Sequence, residues 1–289
     1  MSGTPISPVS RRSVGWRVVA AADRKGTALA DLGWQLSFYG RAVAAGPRAV
    51  RRYPRETLRL LTEVSFGAGG LAVIGGTLGV MIGMTFFTGA IVGLQGYSAL
   101  DQLGTAALTG FISAYFNTRE VAPLSAGLAL SATVGCGYTA QLGAMRISEE
   151  IDALEVMGVR SMPYLVATRV VAGFVAVVPL YIVGLLAAYL ASRQTTVWFY
   201  GQSAGTYDHY FHLFLPPEDV LWSFVKVIGF SVVVILTHCY YGYTASGGPA
   251  GVGVAVGRAV RTSIVLVAVA DFLFSLAIWG STTTVRIAG

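Results

Sequence analysis

The chain is 289 residues long, with 54% hydrophobic residues, only 12% charged ones and a formal net charge of +6. Soluble domains carry roughly 25% charged residues, and at a mean hydropathy of +0.65 a soluble fold of this length has no interior large enough for its apolar surface. The expected fold class is an all-α integral membrane protein, because long uncharged runs are what a bilayer demands.

Cys136 and Cys239 both lie in apolar runs, which argues against a disulfide framework and against a zinc site. Ahead of residue 64 stand Arg11, Arg12, Arg17, Arg24, Lys25, Arg41, Arg48, Arg51, Arg52, Arg55 and Arg59, against Asp23, Asp31, Glu56 and Glu63. No basic stripe exists beyond this stretch, so nucleic acid is not an expected partner. A basic segment before the first span points instead to a cytoplasmic N-terminus.

Residues 1–26 are rich in Ser, Arg and Pro and are expected to be a disordered cytoplasmic segment. They lack the apolar stretch that a cleavable signal places within the first ~30 residues. Residues 27–62 form an amphipathic helical segment: Leu29, Leu32, Leu36, Phe38 and Tyr39 alternate with Asp31, Gln35 and Arg41, and Leu58, Leu60 and Leu61 sit among arginines. Such a helix lies in the membrane interface with its basic side chains toward anionic head groups, or else packs only against protein.

Residues 63–289 are expected to form the transmembrane domain. The first apolar run, 64–95, places Gly75, Gly79 and Gly83 at i, i+4 and i+8, a smooth stripe for close helix packing, with Gly89 and Gly93 extending it. The second, 104–144, contains Pro123 and the neighbouring Arg119 and Glu120, which point apart on a helix and at membrane depth face a cavity or a partner. Further spans are expected over 163–191, 221–245 and 262–285, each near the ~20 residues needed to cross. Asp271, in the last, either bonds a neighbouring helix or serves transport. Five spans with the N-terminus inside put the basic loops in the cytoplasm and the aromatic-rich segment 193–220 outside. Within that segment Asp208, His209 and His212 read as interfacial polar residues rather than a metal site. The glycine-rich stretch 246–257 reads as a flexible cytoplasmic connection. Neither a fixed-period repeat nor an inverted repeat is evident.

No hydrolytic motif is present, and neither Lys25 nor Lys226 sits in a phosphate-binding loop. The chain is expected to be non-catalytic, with no cofactor of its own. Its most informative segment is polar. Thr139–Arg146 leads into Ile147–Gly158, with Ser148 as helix N-cap, Glu149 and Glu150 in the first turn, Gly158 closing the C-terminus and Pro163 preventing continuation. Ile147, Ile151 and Leu154 make an apolar face, and Glu149, Glu150, Asp152 and Glu155 fill the remainder. A short acidic amphipathic helix between two spans docks into a groove on another protein. Resting on anionic lipid would be unfavourable for four acids.

Here the sequence resembles the MlaE/YrbE permease family, and more closely its actinobacterial YrbE branch, which works with Mce proteins. The resemblance is carried by Gly93–Tyr97, Thr118–Pro123, Thr139–Arg146, the acidic helix through Gly158, and Ala167–Gly173. It implies a permease subunit of an ABC-type lipid transporter in the plasma membrane, moving fatty acids, sterols or phospholipids. The implied partners are a second, non-identical YrbE-type permease, a cytoplasmic ATPase dimer that carries ATP and Mg, a hexameric Mce lipid-binding ring, and membrane lipid. The ATPase is expected to grip Arg146, Glu149, Glu150, Ile151, Asp152, Leu154 and Glu155. Arg119 and Glu120 match an Arg-Glu-Leu-Gly-Pro pattern whose charges line the family's lipid pocket, here with Val121 and Ala122 following. Leu94, Gln95, Tyr97, Arg119 and Glu120 are the candidate lining. Gln141 stands where the MlaE branch has Glu, so an ion pair there does not carry over. Two rivals are an ion-coupled transporter or channel without an ATPase, using Asp271 or Glu120 as a proton site, and a membrane scaffold without a conduit.

Overall fold

The computed structural model describes residues 30, 32–66 and 76–280. The chain divides into two compact units, residues 1–41 and 42–289. In the first unit, residues 32–41 lie in helix α1 (residues 32–44), braced internally by a hydrogen bond from Gln35 Nε2 to Tyr39 OH (2.5 Å) and by Arg41 Nε donating to the Ser37 carbonyl (3.2 Å). The second unit is all-helical among the described residues. It begins with α2 (Gly46–Arg52) and α3 (Pro54–Phe66), separated at Tyr53, where Pro54 starts a new helix. Five long helices follow: α4 (Thr77–Asp101), α5 (Ala106–Ile147), α7 (Met162–Phe199), α9 (Pro217–Tyr243) and α10 (Gly248–Trp279). Short α6 (Glu150–Val156) links α5 to α7, and α8 (Ala204–Leu213) links α7 to α9.

Each long helix is apolar and long enough to cross a bilayer. At 1.5 Å per residue even the 25-residue α4 reaches about 37 Å, beyond the ~30 Å hydrocarbon core. Successive spans alternate in direction, so one end of the molecule carries α6 and the α9–α10 turn and the other carries α8. Helix α5 is interrupted by wide π-helical turns over Ser113–Val121 and Ser131–Gly135. Pro123 follows the first of these and has no N–H to offer the Arg119 carbonyl four residues back.

Small residues set the closest approaches. Helix α7 lies along α4 where a side chain on Gly89 would enter the Ala188 backbone, and one on Gly93 would meet Ser192. At the far end Gly110 lets α5 touch the Tyr207 backbone of α8, and Gly135 makes room for the His238 ring of α9. The stripe read from the sequence therefore closes on a neighbour at Gly89 and Gly93. Gly83 faces open space within this chain, and Gly75 lies outside the described residues. Replacing Gly89 with Leu is expected to push α7 from α4 and cost about 1–3 kcal/mol, read as a fall in the melting temperature of the detergent-solubilised chain. Gly83→Ala should lack that penalty.

The boundaries differ from the sequence reading most at two places. The first span starts at Thr77, with residues 67–75 outside the described set. The stretch 246–257 is not a flexible connection: Gly247 and Gly248 turn the chain at φ 90° and 69°, Pro249 occupies the first turn, and α10 is helical from Gly248. Its glycine-rich start is supported by packing, since Gly143 of α5 lies against Val252. Along α10 only Ala255, Ala259, Ser263 and Val267 are buried, one stripe at i+4 spacing, and the opposite face is apolar and open.

Candidate functional site

The α6 loop is bounded by a left-handed residue at each end. Its N-cap is Glu149, in the left-handed region at φ 62°, and not Ser148 as the sequence suggested. Ser148 Oγ instead lies 2.9 Å from the Ala144 carbonyl and 3.0 Å from Glu150 Oε1, with one proton to give to either. The sharp turn at Glu149 is what swings α6 away from the line of α5. Gly158, at φ 76°, closes the other end: its N–H donates to the Glu155 carbonyl (3.0 Å) and that of Val159 to the Leu154 carbonyl (2.9 Å). Pro163 then sits in the first turn of α7.

Ile151 is buried and Leu154 half-buried, so these two anchor α6, whereas Ile147 ends α5 at the edge of exposure. Glu149, Glu150, Asp152 and Glu155 are exposed, and so are Val156 (89%) and Met157 (68%). The result is an apolar tip with an acidic rim. It is tied to three spans. Arg146 at the end of α5 pairs with Asp152 (2.7 Å), Glu155 accepts from Ser161 at the start of α7 (2.5 Å), and Ser161 bonds Tyr243 at the end of α9 (2.8 Å).

Nearby, Gln141 relays between opposite charges. Its Nε2 donates to Glu63 of α3 (2.5 Å) and its Oε1 accepts from Arg169 of α7 (3.2 Å). An amide can do both because it carries a donor and an acceptor; a carboxylate there would face Glu63 with like charge. Glu63 also pairs with Arg59 (3.1 Å) and Arg59 with Glu56 (2.6 Å). The Arg59 guanidinium holds the Glu56 carboxyl below its ordinary range.

At the opposite end the π turn of α5 presents two charged layers to α9 and α10. Arg119 is buried and pairs with Asp219 (2.7 Å), whose other oxygen accepts from Trp279 Nε1 (3.0 Å). The Arg119 guanidinium also lies 4.1 Å from the centre of the Tyr115 ring. Two turns deeper, the fully buried Lys226 ammonium lies 2.7 Å from the Arg119 carbonyl, 2.8 Å from Ser275 Oγ, 3.1 Å from Glu120 Oε2 and 2.8 Å from Asp271 Oδ1. Lys226 thus serves the carbonyl to which Pro123 offers no N–H. Three protons cannot serve four acceptors at once, and Asp271 Oδ1, at ion-pair distance, is the least well aligned of the four. Ser275 Oγ donates to Glu120 Oε1 (2.7 Å), completing the knot.

Arg119 and Glu120 do not neutralise each other, as their adjacency implied, and they are not free pocket walls. Each is bound to a different layer, and only Glu120 stays partly exposed, its side chain 38% accessible. The other lining candidates, Leu94, Gln95 and Tyr97, sit on the same half of α4, where Tyr97 stacks on Tyr200 of the α7–α8 segment (4.1 Å). Thr118 of the π turn bonds Tyr189 of α7 instead (2.6 Å). Sequence reading missed Lys226, Asp219 and His238 as structural partners. A lone lysine inside an apolar span is itself the signal for Lys226. His238 is fully buried, with Thr139 Oγ1 at 2.8 Å and Ser263 Oγ at 3.1 Å from its two ring nitrogens. Asp208 is engaged by Arg193 (2.7 and 2.8 Å), which holds its carboxyl below the ordinary range. Among the described residues no group of three or more metal-binding side chains converges.

Five bilayer-length apolar helices, charges satisfied inside the bundle and one projecting polar loop define a multi-pass membrane protein built around its interior contacts. Residues 68–277 match the family model described as Permease MlaE, and the chain belongs to that family. It is 30% identical over 199 residues to a probable ABC transporter permease protein of Rickettsia bellii, a match covering 69% of this chain and 77% of that one. It is also 29% identical over 199 residues to the protein trigalactosyldiacylglycerol 1, chloroplastic, of Arabidopsis thaliana, covering 69% and 57% of the two chains.

Proposed function

We propose that this chain is the membrane subunit of an ATP-driven Mce lipid transport system in the plasma membrane, itself non-catalytic, with its N-terminus and α6 in the cytoplasm. The observation that carries this reading is the exposed tip of α6, acidic at its rim and apolar at its summit, braced to α5, α7 and α9 together. Such a surface suits a groove on a partner protein and not a lipid surface. The partner is a cytoplasmic ATPase dimer holding ATP and Mg, in keeping with the name carried by the Rickettsia relatives.

The lever follows from the bonding. Force on α6 passes through Arg146–Asp152 to α5, through Glu155–Ser161 to α7 and through Ser161–Tyr243 to α9. A second, non-identical permease pairs through apolar faces that this chain leaves open, with Gly79 and Gly83 as candidates for close contact. A lipid then occupies a cavity walled by Leu94, Gln95, Tyr97 and Glu120, with Arg119 bracing from behind, and exchanges with a hexameric Mce ring on the outer side. Apolar walls with a few polar groups suit a lipid's tails and head.

An ion-coupled carrier would use Glu120 or Asp271 as its proton site. Both carboxylates are already committed to Lys226, which favours a structural role for Asp271. Mass spectrometry of the gently solubilised native assembly separates the readings. The expected result is an ATPase, a second permease and bound lipid in one complex. Ion-driven lipid flux by this chain alone would refute the proposal.

A further inference from the structure

Beside α6 the structure forms a pocket of about 300 Å³ lined by Arg48, Arg52, Tyr53, Gly158, Arg160 and Pro163. Arg48 and Arg52 lie at i, i+4, so they share one face of α2. Ala49, between them in sequence, packs with Ala45 and Ala167 and fixes α2 against the start of α7. Tyr53 meets the edge of Tyr164 with ring centres 5.0 Å apart. The positive φ of Gly158 turns the chain out of α6 and brings Arg160 back toward α2.

Three arginines therefore share one small concavity with no carboxylate in its wall, and none of the three has an ion-pair partner among the described residues. Three other arginines at this end are served: Arg59 by Glu56 and Glu63, Arg146 by Asp152, Arg169 by Gln141. Like charges converging this way repel unless an anion joins them, and planar guanidinium groups match phosphate oxygens in pairs. The pocket also sits where α7 leaves the bilayer, since Pro163 is in that helix's first turn, and an aromatic ring forms part of its wall. That is the level of lipid head groups.

We propose that this pocket binds the phosphate head group of an anionic phospholipid from the leaflet on the α6 side, bridging α2 to the loop that leaves α6. The site does not depend on the ATPase reading and stands or falls separately. The test is calorimetric titration of the purified full-length chain with dioctanoyl phosphatidylglycerol, with inorganic phosphate as a parallel titrant. Arg160→Gln and Arg52→Gln should each weaken lipid binding about tenfold or more, the loss of a charge-assisted hydrogen bond, and either variant suffices if the other fails to accumulate. Arg51→Gln, on the same helix but outside the pocket wall, should bind as the unaltered chain does. Unchanged binding by both pocket variants, an equal loss in Arg51→Gln, or inorganic phosphate binding as tightly as the lipid would each overturn the proposal.

Discussion

Lys226→Met is expected to abolish accumulation of folded protein in the membrane. The substitution keeps the side chain's length and apolar character but removes the ammonium that faces Glu120, Asp271, Ser275 and the Arg119 carbonyl. Two carboxylates are then left inside a bilayer span without a counter-charge. Breaking a buried pair from one side costs about 3–5 kcal/mol, a large share of a typical 5–15 kcal/mol stability. The damage comes from the stranded acids and not from lost packing, so the same change combined with Glu120→Gln and Asp271→Asn should restore much of the folded yield. Size-exclusion profiles and melting curves in detergent measure both. Failure of the combined variant to recover would mean that the ammonium is needed for the Arg119 carbonyl itself.

The second large effect concerns partners and not folding. Changing Glu149, Glu150 and Glu155 together to lysine should eliminate recovery of the ATPase with the purified permease. All three side chains are exposed; the change gives up the bond from Ser161 to Glu155 but leaves the helix's own anchor, Ile151, and the Arg146–Asp152 pair untouched. Juxtaposing like charges across an interface costs several kcal/mol, which corresponds to about a hundredfold weaker binding or more. The variant chain should still fold: a cation at positions 149 and 150 opposes the helix dipole by only about 0.3–1 kcal/mol each, and one at 155, in the last turn, is favoured by it. Retained ATPase binding and transport would remove α6 from the coupling route.

The five spans and the acidic helix are legible in the sequence because each follows from a local rule. A bilayer needs an unbroken apolar run, and one apolar face on a short acidic segment between turn residues marks a short amphipathic helix. The misreadings are equally physical. The stretch 246–257 has the composition of a loop, yet Gly143 opposite Val252 gives its glycines a surface to pack on. Ser148 is the preferred residue type for an N-cap, but the chain must bend sharply between α5 and α6, and that bend falls on Glu149. The pairing of the intramembrane charges was hidden for a different reason. Arg119 and Asp219, or Glu120 and Lys226, lie about a hundred positions apart, and which helices become neighbours is decided by glycine contacts such as Gly135 with His238. Local periodicity carries no information about that choice.

Met157 is the most direct place to ask whether α6 is the handle of a nucleotide-driven motor, since it sits exposed at the apolar tip. With a photo-crosslinking residue at that position in native membranes, irradiation should yield an adduct with a cytoplasmic ATPase. An adduct with lipid alone, or labelling of Met157→Cys by a membrane-impermeant reagent from the outer side, would contradict the account.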